Sequence, residues 1–174
     1  MNSLCSICQL PFNCDANAAN CWCQALPSLP RSAYQDRSCL CANCLNAELH
    51  KGVVLYGIAN CDTVKKARTW LAEQGVEYTF WDFKKHGVPE TELDNWLAGL
   101  GWQALTNTRG TTWRGLAGAV KASVIDTASA KTVLLANPSV IKRPVVNWAE
   151  RGYTLGFDAA AWVARRAILA STNQ

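Results

Sequence analysis

Residues 53–83 read VVLYGIANCDTVKKARTWLAEQGVEYTFWDF, and this stretch decides the fold. It opens with an apolar run of strand length at 53–58 and closes with aromatic and β-branched residues at 76–83. Between them, DTVKKARTWLAE has apolar residues three or four positions apart, a spacing typical of an amphipathic helix, and Gly75 suits its end. The stretch therefore predicts a βαβ unit with two parallel strands.

The segments that follow complete an α/β domain. Residues 89–100 predict a helix, NTRGTTWRGL predicts a loop that enters another helix, and SAKTVLLANP predicts a helix that stops near Pro138. The runs PVVNW at 144–148 and YTLGF at 153–157 flank AERG as a β-hairpin, and Asp158 suits the N-cap of a last helix. The predicted order is βαβ, a helical insertion, then ββα.

The first 46 residues have a different character. They are rich in Cys, Asn, Ser and Pro, lack helical or strand periodicity, and have too few large apolar side chains for a core. The pattern changes after the polar stretch AELHKG. We therefore predict a cysteine-rich module at 1–47, a linker at 48–52, an α/β domain at 53–168 and a tail at 169–174.

The cysteine spacing predicts metal binding. Eight of the nine cysteines lie in the module, where CSIC and CANC are two Cys-x-x-Cys knuckles, each able to bind one tetrahedral zinc through two thiolates. Four further cysteines would complete two Cys₄ sites. Because no His lies among them, closed structural sites are expected; a set of disulfides is the alternative. The predicted ligands are Cys5, Cys8, Cys14, Cys21, Cys23, Cys39, Cys41 and Cys44.

The ninth cysteine, Cys61, is the candidate nucleophile. It falls between the first predicted strand and its helix, where free backbone N–H groups and the helix dipole favour a thiolate. A lone cysteine can also be a small buried core residue, but the polar turn NCDT argues against burial. Guanidinium groups bind oxyanions through paired hydrogen bonds, so Arg109, Arg114 and Arg143 are candidate partners.

Charge and hydropathy exclude several other classes of function. The formal charge is +4, but no basic run exceeds two residues, so direct nucleic-acid binding is not expected. The first residues, MNSLCSICQLPF, do not resemble a secretory signal, and no apolar run is long enough for a membrane span. We expect a cytoplasmic protein whose thiols stay reduced.

The module resembles the cysteine-rich CWC family. The resemblance rests on the core Cys21-Trp22-Cys23, on LP at 26–27 and on CLCANCL, and it covers nearly all of residues 5–45. It implies a bacterial metal-binding module. A surface that contacts a protein or a nucleic acid would fit the same sequence.

The α/β domain resembles the arsenate reductase (ArsC) and Spx superfamily, in particular its short bacterial branch of glutathione-dependent thiol reductases. The matching runs are YGIANCDTVKKARTWL, DFKKHG, LTNTRGTTWR, IKRP and LGF, within residues 53–165. The resemblance implies a thioredoxin-like fold with a helical insertion and external glutathione, or another small thiol, as co-substrate. It implies catalytic Cys61, Arg109 and Arg143, and substrate-binding Asn60, Arg114 and Pro144, the last as the cis-proline facing the thiol.

Two departures from the superfamily refine this hypothesis. Spx regulators commonly have a second cysteine three positions after the first, whereas this chain has Val64 there. Arsenate reductases have a further arginine after the hairpin, where this chain reads TLGF. The leading hypothesis is a thiol oxidoreductase with one nucleophilic cysteine. The alternative is a non-catalytic, Spx-like regulator that contacts RNA polymerase or another protein partner.

Overall fold

A computed structural model describes residues 2–14, 21–33 and 39–170, and a four-stranded mixed sheet lies at its centre. The order of strands in this sheet is β4-β3-β5-β6, and a separate two-stranded sheet, β1-β2, lies in the module. The strands are β1 (Asn2–Leu4), β2 (Pro11–Asn13), β3 (Val53–Gly57), β4 (Thr79–Asp82), β5 (Val145–Trp148) and β6 (Tyr153–Leu155).

Helices cover both faces of the central sheet. The long ones are α1 (Ala42–Leu49), α2 (Asp62–Glu73), α4 (Glu90–Leu100), α8 (Thr127–Ala136) and α9 (Ala159–Ala170). The short ones are α3 (Phe83–His86), α5 (Trp102–Leu105), α6 (Thr111–Gly115) and α7 (Gly118–Ser123), and 3₁₀ turns occupy Trp22–Ala25, Arg31–Ala33, Pro138–Val140 and Ala149–Arg151. Within the described residues, no helix combines the length and the apolar character needed to cross a bilayer.

The strand pairing confirms the predicted fold. Strand β3 is parallel to β4, with α2 as the crossover, and antiparallel to β5, which forms an antiparallel hairpin with β6. All five residues of β3 are buried, because helices pack on both faces of this central strand. The N-cap prediction is also confirmed, since the Asp158 carboxylate accepts hydrogen bonds from two backbone N–H groups of α9. The domain has a thioredoxin-like fold with a helical insertion.

Two apolar cores flank the sheet. On one face, α2 contributes Val64 and Leu71 to a cluster that also contains Trp148 and Trp162. The other face carries a larger cluster, formed mainly by α4, α8 and the segments around them. Strand β3 and α2 approach so closely that a Cβ on Gly57 would lie 2.7 Å from Cγ2 of Val64. Glycine at this position therefore sets the distance between the strand and the helix that flank the reactive turn.

The module contains more regular structure than the sequence predicts. Residues 1–46 lack helical or strand periodicity in the sequence, yet β1 and β2 pair and α1 begins at Ala42. This helix was missed because it has only eight residues and two leucines, too few for a helical period to appear. The second strand of the βαβ unit is also shorter than predicted, since β4 begins at Thr79.

Helix α1 continues into the predicted linker and docks the module on the domain. Leu49 is fully buried in the larger cluster, against which Leu26 and Leu29 of the module also pack. The next residue, His50, forms a hydrogen bond of 2.8 Å between its Nδ1 and the hydroxyl of Tyr56. The predicted division at 48–52 stays a prediction, and residues 171–174 of the predicted tail lie outside the described residues.

Leu49→Ala should lower the free energy of unfolding by about 2–5 kcal/mol, because it empties a fully buried site and leaves a cavity. Chemical denaturation of the full chain measures the change. Val163→Ala is the matched control: its side chain is 54% exposed on α9, so its cost should be small. Equal, small costs for both variants would contradict the docking of α1 on the domain.

Candidate active site

Cys61 lies at the junction of β3 and α2, where the sequence places the nucleophile. It is the N-cap of α2, with extended backbone dihedrals of φ −83° and ψ 125°. Its carbonyl accepts the first hydrogen bond of the helix, from Lys65 N at 2.9 Å, and its own N–H donates to the carbonyl of Ile58 at 3.0 Å. The sulfur therefore lies at the helix end whose N–H groups have no partner within the helix.

The pKa of the Cys61 thiol is lowered from its ordinary value. Partial burial acts to raise the pKa, because it disfavours the charged thiolate. Hydrogen bonds from the Val64 N–H, the Arg143 guanidinium and the Thr63 N–H favour the thiolate, and the positive charge of Arg143 adds to them. These favourable interactions outweigh the burial, so a larger fraction of the thiol is ionised near neutral pH than for an ordinary cysteine.

Arg143 lies just before β5, at the end of the sheet where β3 leads into Cys61, and it is firmly positioned. Its Nη1 donates to the carbonyl of Ser139 at 2.7 Å and to that of Ile141 at 3.3 Å. Its Nε is buried and has no hydrogen-bonding oxygen or nitrogen among the described residues. The peptide bond between Arg143 and Pro144 is cis, as the resemblance implies. One edge of the guanidinium is thus anchored to backbone, and a buried donor remains for an anion.

Arg109 and Arg114 are exposed, and among the described residues Arg143 is the arginine that interacts with Cys61. The loop that carries Arg109 is nevertheless tied to the segment that anchors Arg143. The N–H of Asn107 donates to the carbonyl of Val140 at 2.8 Å, and that of Lys142 donates to Leu105 at 2.7 Å. Asn60 lies exposed in the reactive turn. The predicted roles of Arg109, Arg114 and Asn60 stay predictions.

Sequence reasoning missed the residues that hold Arg143. The anchors are backbone carbonyls of the Pro138–Val140 turn and of Ile141, so their side chains give no signal of this role. The Pro138 in ANPSVIKRP marks a turn at this place, but it does not indicate which carbonyls point at the arginine. Only the folded loop reveals the contact.

A groove of about 970 Å³ lies beside the reactive turn. One side is the module segment 24–30, and the other includes Ala59, two residues before Cys61, with side chains of α2, β4 and α3. Within it, the Arg68 guanidinium lies 4.3 Å from the centre of the Phe80 ring, and its Nε donates to the Tyr78 hydroxyl at 3.2 Å. The groove was not predicted, because its two sides are far apart in sequence.

The two Cys-x-x-Cys knuckles converge on one point of the module. The sulfur atoms of Cys5, Cys8, Cys41 and Cys44 all lie within 4.8 Å of one another, and those of Cys8 and Cys41 are 3.8 Å apart. Burial acts to raise the pKa of Cys5, yet N–H donors in both knuckles bring it down to about 6. Burial, followed by hydrogen bonds with its three neighbours, raises the pKa of Cys44 to about 12. The surroundings therefore favour ionisation of Cys5 over that of Cys44.

The other four module cysteines form two close pairs. The sulfur atoms of Cys14 and Cys39 are 3.3 Å apart, and those of Cys21 and Cys23 are 3.2 Å apart. The pKa of Cys23 is raised to about 11, mainly by its hydrogen bond with Cys21. The pKa of Cys39 is also raised, mainly by its hydrogen bond with Cys14. No disulfide joins any of the nine cysteines.

Known proteins similar to this chain match its α/β domain. A Haemophilus influenzae protein is 44% identical over 94 residues, which cover 54% of this chain and 82% of that protein. The solved structure of the YFFB protein is 48% identical and has a TM-score of 0.62. The match covers 65% of this chain and 97% of that protein. An arsenate reductase (ArsC) related protein from Brucella melitensis is 43% identical, with a TM-score of 0.53 and coverage of 66% and 94%.

The fold is also shared with a solved structure of much lower sequence identity. An arsenate reductase from Vibrio cholerae is 17% identical, with a TM-score of 0.56, over 66% of this chain and 97% of that one. The sequence pattern of the ArsC family matches residues 56–164, which include the reactive turn, the Arg109 loop and the cis-proline. This chain belongs to the ArsC family.

Proposed function

We propose that the protein is a thiol oxidoreductase of arsenate reductase type, in which Cys61 is the single nucleophile and glutathione, or another small thiol, is the co-substrate. The observation that carries the proposal is the Cys61 environment. A thiolate favoured by two backbone N–H groups and by Arg143 lies beside a buried, unpaired donor, Nε of Arg143. Membership of the ArsC family and similarity to arsenate reductase-related proteins support this class of chemistry.

With a mixed disulfide as substrate, the reaction is two thiol–disulfide exchanges. The Cys61 thiolate attacks the glutathione sulfur, a new S–S bond forms on Cys61, and the substrate leaves as a thiolate that takes up a proton. A glutathione thiolate then attacks the adduct, releasing glutathione disulfide and restoring the Cys61 thiolate. In the net reaction, the mixed disulfide and one glutathione thiol are converted into the substrate thiol and glutathione disulfide.

With an oxyanion as substrate, the thiolate attacks the central atom and one oxygen leaves as water after protonation. Arg143 would donate from Nε to an oxygen of the bound anion, because this donor is buried and lacks another partner. Arg109 would approach from the loop tied to the Pro138–Val140 turn. Two glutathione thiols supply the two electrons of the reduction. Arsenate fits this chemistry.

The second thiol must come from outside the domain. The position three after Cys61 is Val64, which is fully buried, and no other cysteine follows residue 61. The remaining cysteines are gathered in the module. Glutathione is a small thiol that can reach a half-buried sulfur, and it is abundant in the reducing cytoplasm, where we place the reaction.

The module is proposed to bind structural zinc, which crosslinks chain segments and takes no part in the reaction. The first site would use Cys5, Cys8, Cys41 and Cys44. Zinc binds thiolates at about 2.3 Å, so the edges of a ZnS₄ tetrahedron measure about 3.8 Å. The sulfur atoms of Cys8 and Cys41 are 3.8 Å apart, and the whole set lies within 4.8 Å, so the residues present fit the ion.

The pH dependence of alkylation tests the activated thiol. The rate at which Cys61 reacts with iodoacetamide should rise with pH. The midpoint of this rise should lie at a lower pH than for an ordinary cysteine, because the folded site favours the thiolate. Arg143→Ala should move this midpoint to higher pH, since burial is then opposed by the N–H groups alone. Lys142→Ala removes a neighbouring exposed cation and should leave it nearly unchanged. Peptide mass analysis measures the rate at Cys61 itself.

Turnover tests the roles of the named residues. Cys61→Ser should abolish glutathione-linked reduction, because a serine hydroxyl is far less nucleophilic than a thiolate. Arg143→Ala should lower the rate by about 10²-fold, the typical cost of one preorganised donor, and Arg109→Ala by a similar or smaller factor. Arg114→Ala is the control with the smaller expected loss. Turnover of mixed disulfides and of arsenate should be assayed in parallel.

Full activity of Cys61→Ser would remove Cys61 as the nucleophile, and a wild-type protein that reduces neither substrate would remove the enzyme hypothesis. The Spx-like alternative, a non-catalytic protein that contacts RNA polymerase or another partner, would then explain the fold, with the module as an additional contact surface. A copurification assay with RNA polymerase would test that alternative directly.

A further inference from the structure

Cys14, Cys21, Cys23 and Cys39 lie apart from the first cluster and share one cavity of about 350 Å³. Their closest sulfur–sulfur distances, 3.2 and 3.3 Å, are far too long for a disulfide, whose sulfurs are about 2.05 Å apart. They are also shorter than the edges of about 3.8 Å in a ZnS₄ tetrahedron, so each pair would need to open by about half an ångström to bind a metal ion. The two pairs would also need to move closer together, because among the described residues only the first cluster has all its sulfur atoms within 4.8 Å of one another.

Apolar packing alone does not explain why these four thiols gather. Cys14 is 6% exposed and Cys21 is 5% exposed, and Phe12 of β2 and Leu45 of α1 line the same cavity. Thiols are weak hydrogen-bonding groups, and a small module without a large core needs crosslinks to fix its loops. A metal ion bound by all four sulfurs supplies that crosslink.

We infer that Cys14, Cys21, Cys23 and Cys39 are the ligands of a second structural zinc site. The inference extends the proposed zinc module and does not rest on the chemistry of Cys61. In chain order, the four ligands lie between the two knuckles of the first site, so the second site is nested inside the first. Leu40, which is 8% exposed, lies between Cys39 of the second site and Cys41 of the first.

The nested arrangement has an energetic reason. The first site alone closes one long loop from Cys8 to Cys41, and the residues inside this loop would remain without a crosslink. The entropy lost on closing a loop grows only slowly with the length of the loop, so a single closure leaves a long loop with most of its conformational freedom. The second site divides the loop into shorter ones and fixes Cys21 and Cys23 at the start of the Trp22–Ala25 turn.

The second site also positions the module side of the groove beside the reactive turn. Segment 24–30 follows directly after Cys23 and lines the groove, while Leu26 and Leu29 pack against the larger core cluster of the domain. Zinc at the second site therefore holds this segment against the domain. Its loss should free the segment while leaving the first site and the domain core in place.

Native mass spectrometry of the full chain, purified with zinc, tests the ligand assignment. The wild-type protein should carry about two zinc ions, and the double variants Cys21→Ser/Cys23→Ser and Cys5→Ser/Cys8→Ser should each carry about one. Cys61→Ser is the matched control and should retain two. One zinc in the wild-type protein, or two in Cys21→Ser/Cys23→Ser, would overturn the inference.

A second measurement uses the wild-type protein alone, so it does not depend on how the variants fold. Zinc is removed stepwise with a chelator, and the exposed thiols are alkylated and mapped by peptide mass analysis. The inference expects Cys14, Cys21, Cys23 and Cys39 to become reactive together, with the loss of one zinc and faster amide hydrogen exchange in segment 24–30. Reactivity of these four in the fully zinc-loaded protein would contradict it. A missing reductase activity would leave both readouts unchanged.

Discussion

The contact between the Cys61 thiolate and Arg143 is the interaction on which the site depends. The two residues are 82 positions apart, and the register of the sheet brings them together. Strand β5 pairs antiparallel with β3 so that Val145 lies opposite Tyr56. Arg143 and Pro144 therefore lie beside the end of β3, where the chain turns into α2. A slip of this register would separate the guanidinium from the sulfur.

Two opposing effects are balanced at this contact. Burial disfavours both the thiolate and an unpaired guanidinium donor, whereas the helix N–H groups and the attraction between the opposite charges favour the ionised pair. Leaving a buried donor unsatisfied costs about 1–3 kcal/mol. Nε of Arg143 is in this state, and an anion beside Cys61 would relieve it. The carbonyls of Ser139 and Ile141 keep the arginine in place, so an arriving anion need not order it.

The sequence predicts the domain well because its signals are local. The apolar run before Cys61, the helical spacing after it and the capping Asp158 each fix one element without reference to the rest. The same approach fails where contacts are distant. It missed α1, whose apolar content is Leu45 and Leu49, and it could not pair the cysteines, since chain order does not show which loops meet. The anchors of Arg143 are backbone carbonyls, so no side chain reveals them.

The chain contains cysteines in two different environments. Eight thiols in the module form one cluster of four and two close pairs, and the ninth faces an arginine at a helix end. Exposing the zinc-loaded full chain to glutathione disulfide, and locating the adducts by peptide mass analysis, tests this account most directly. The account predicts one glutathione per chain, on Cys61. Adducts on the module cysteines with Cys61 unmodified would contradict it.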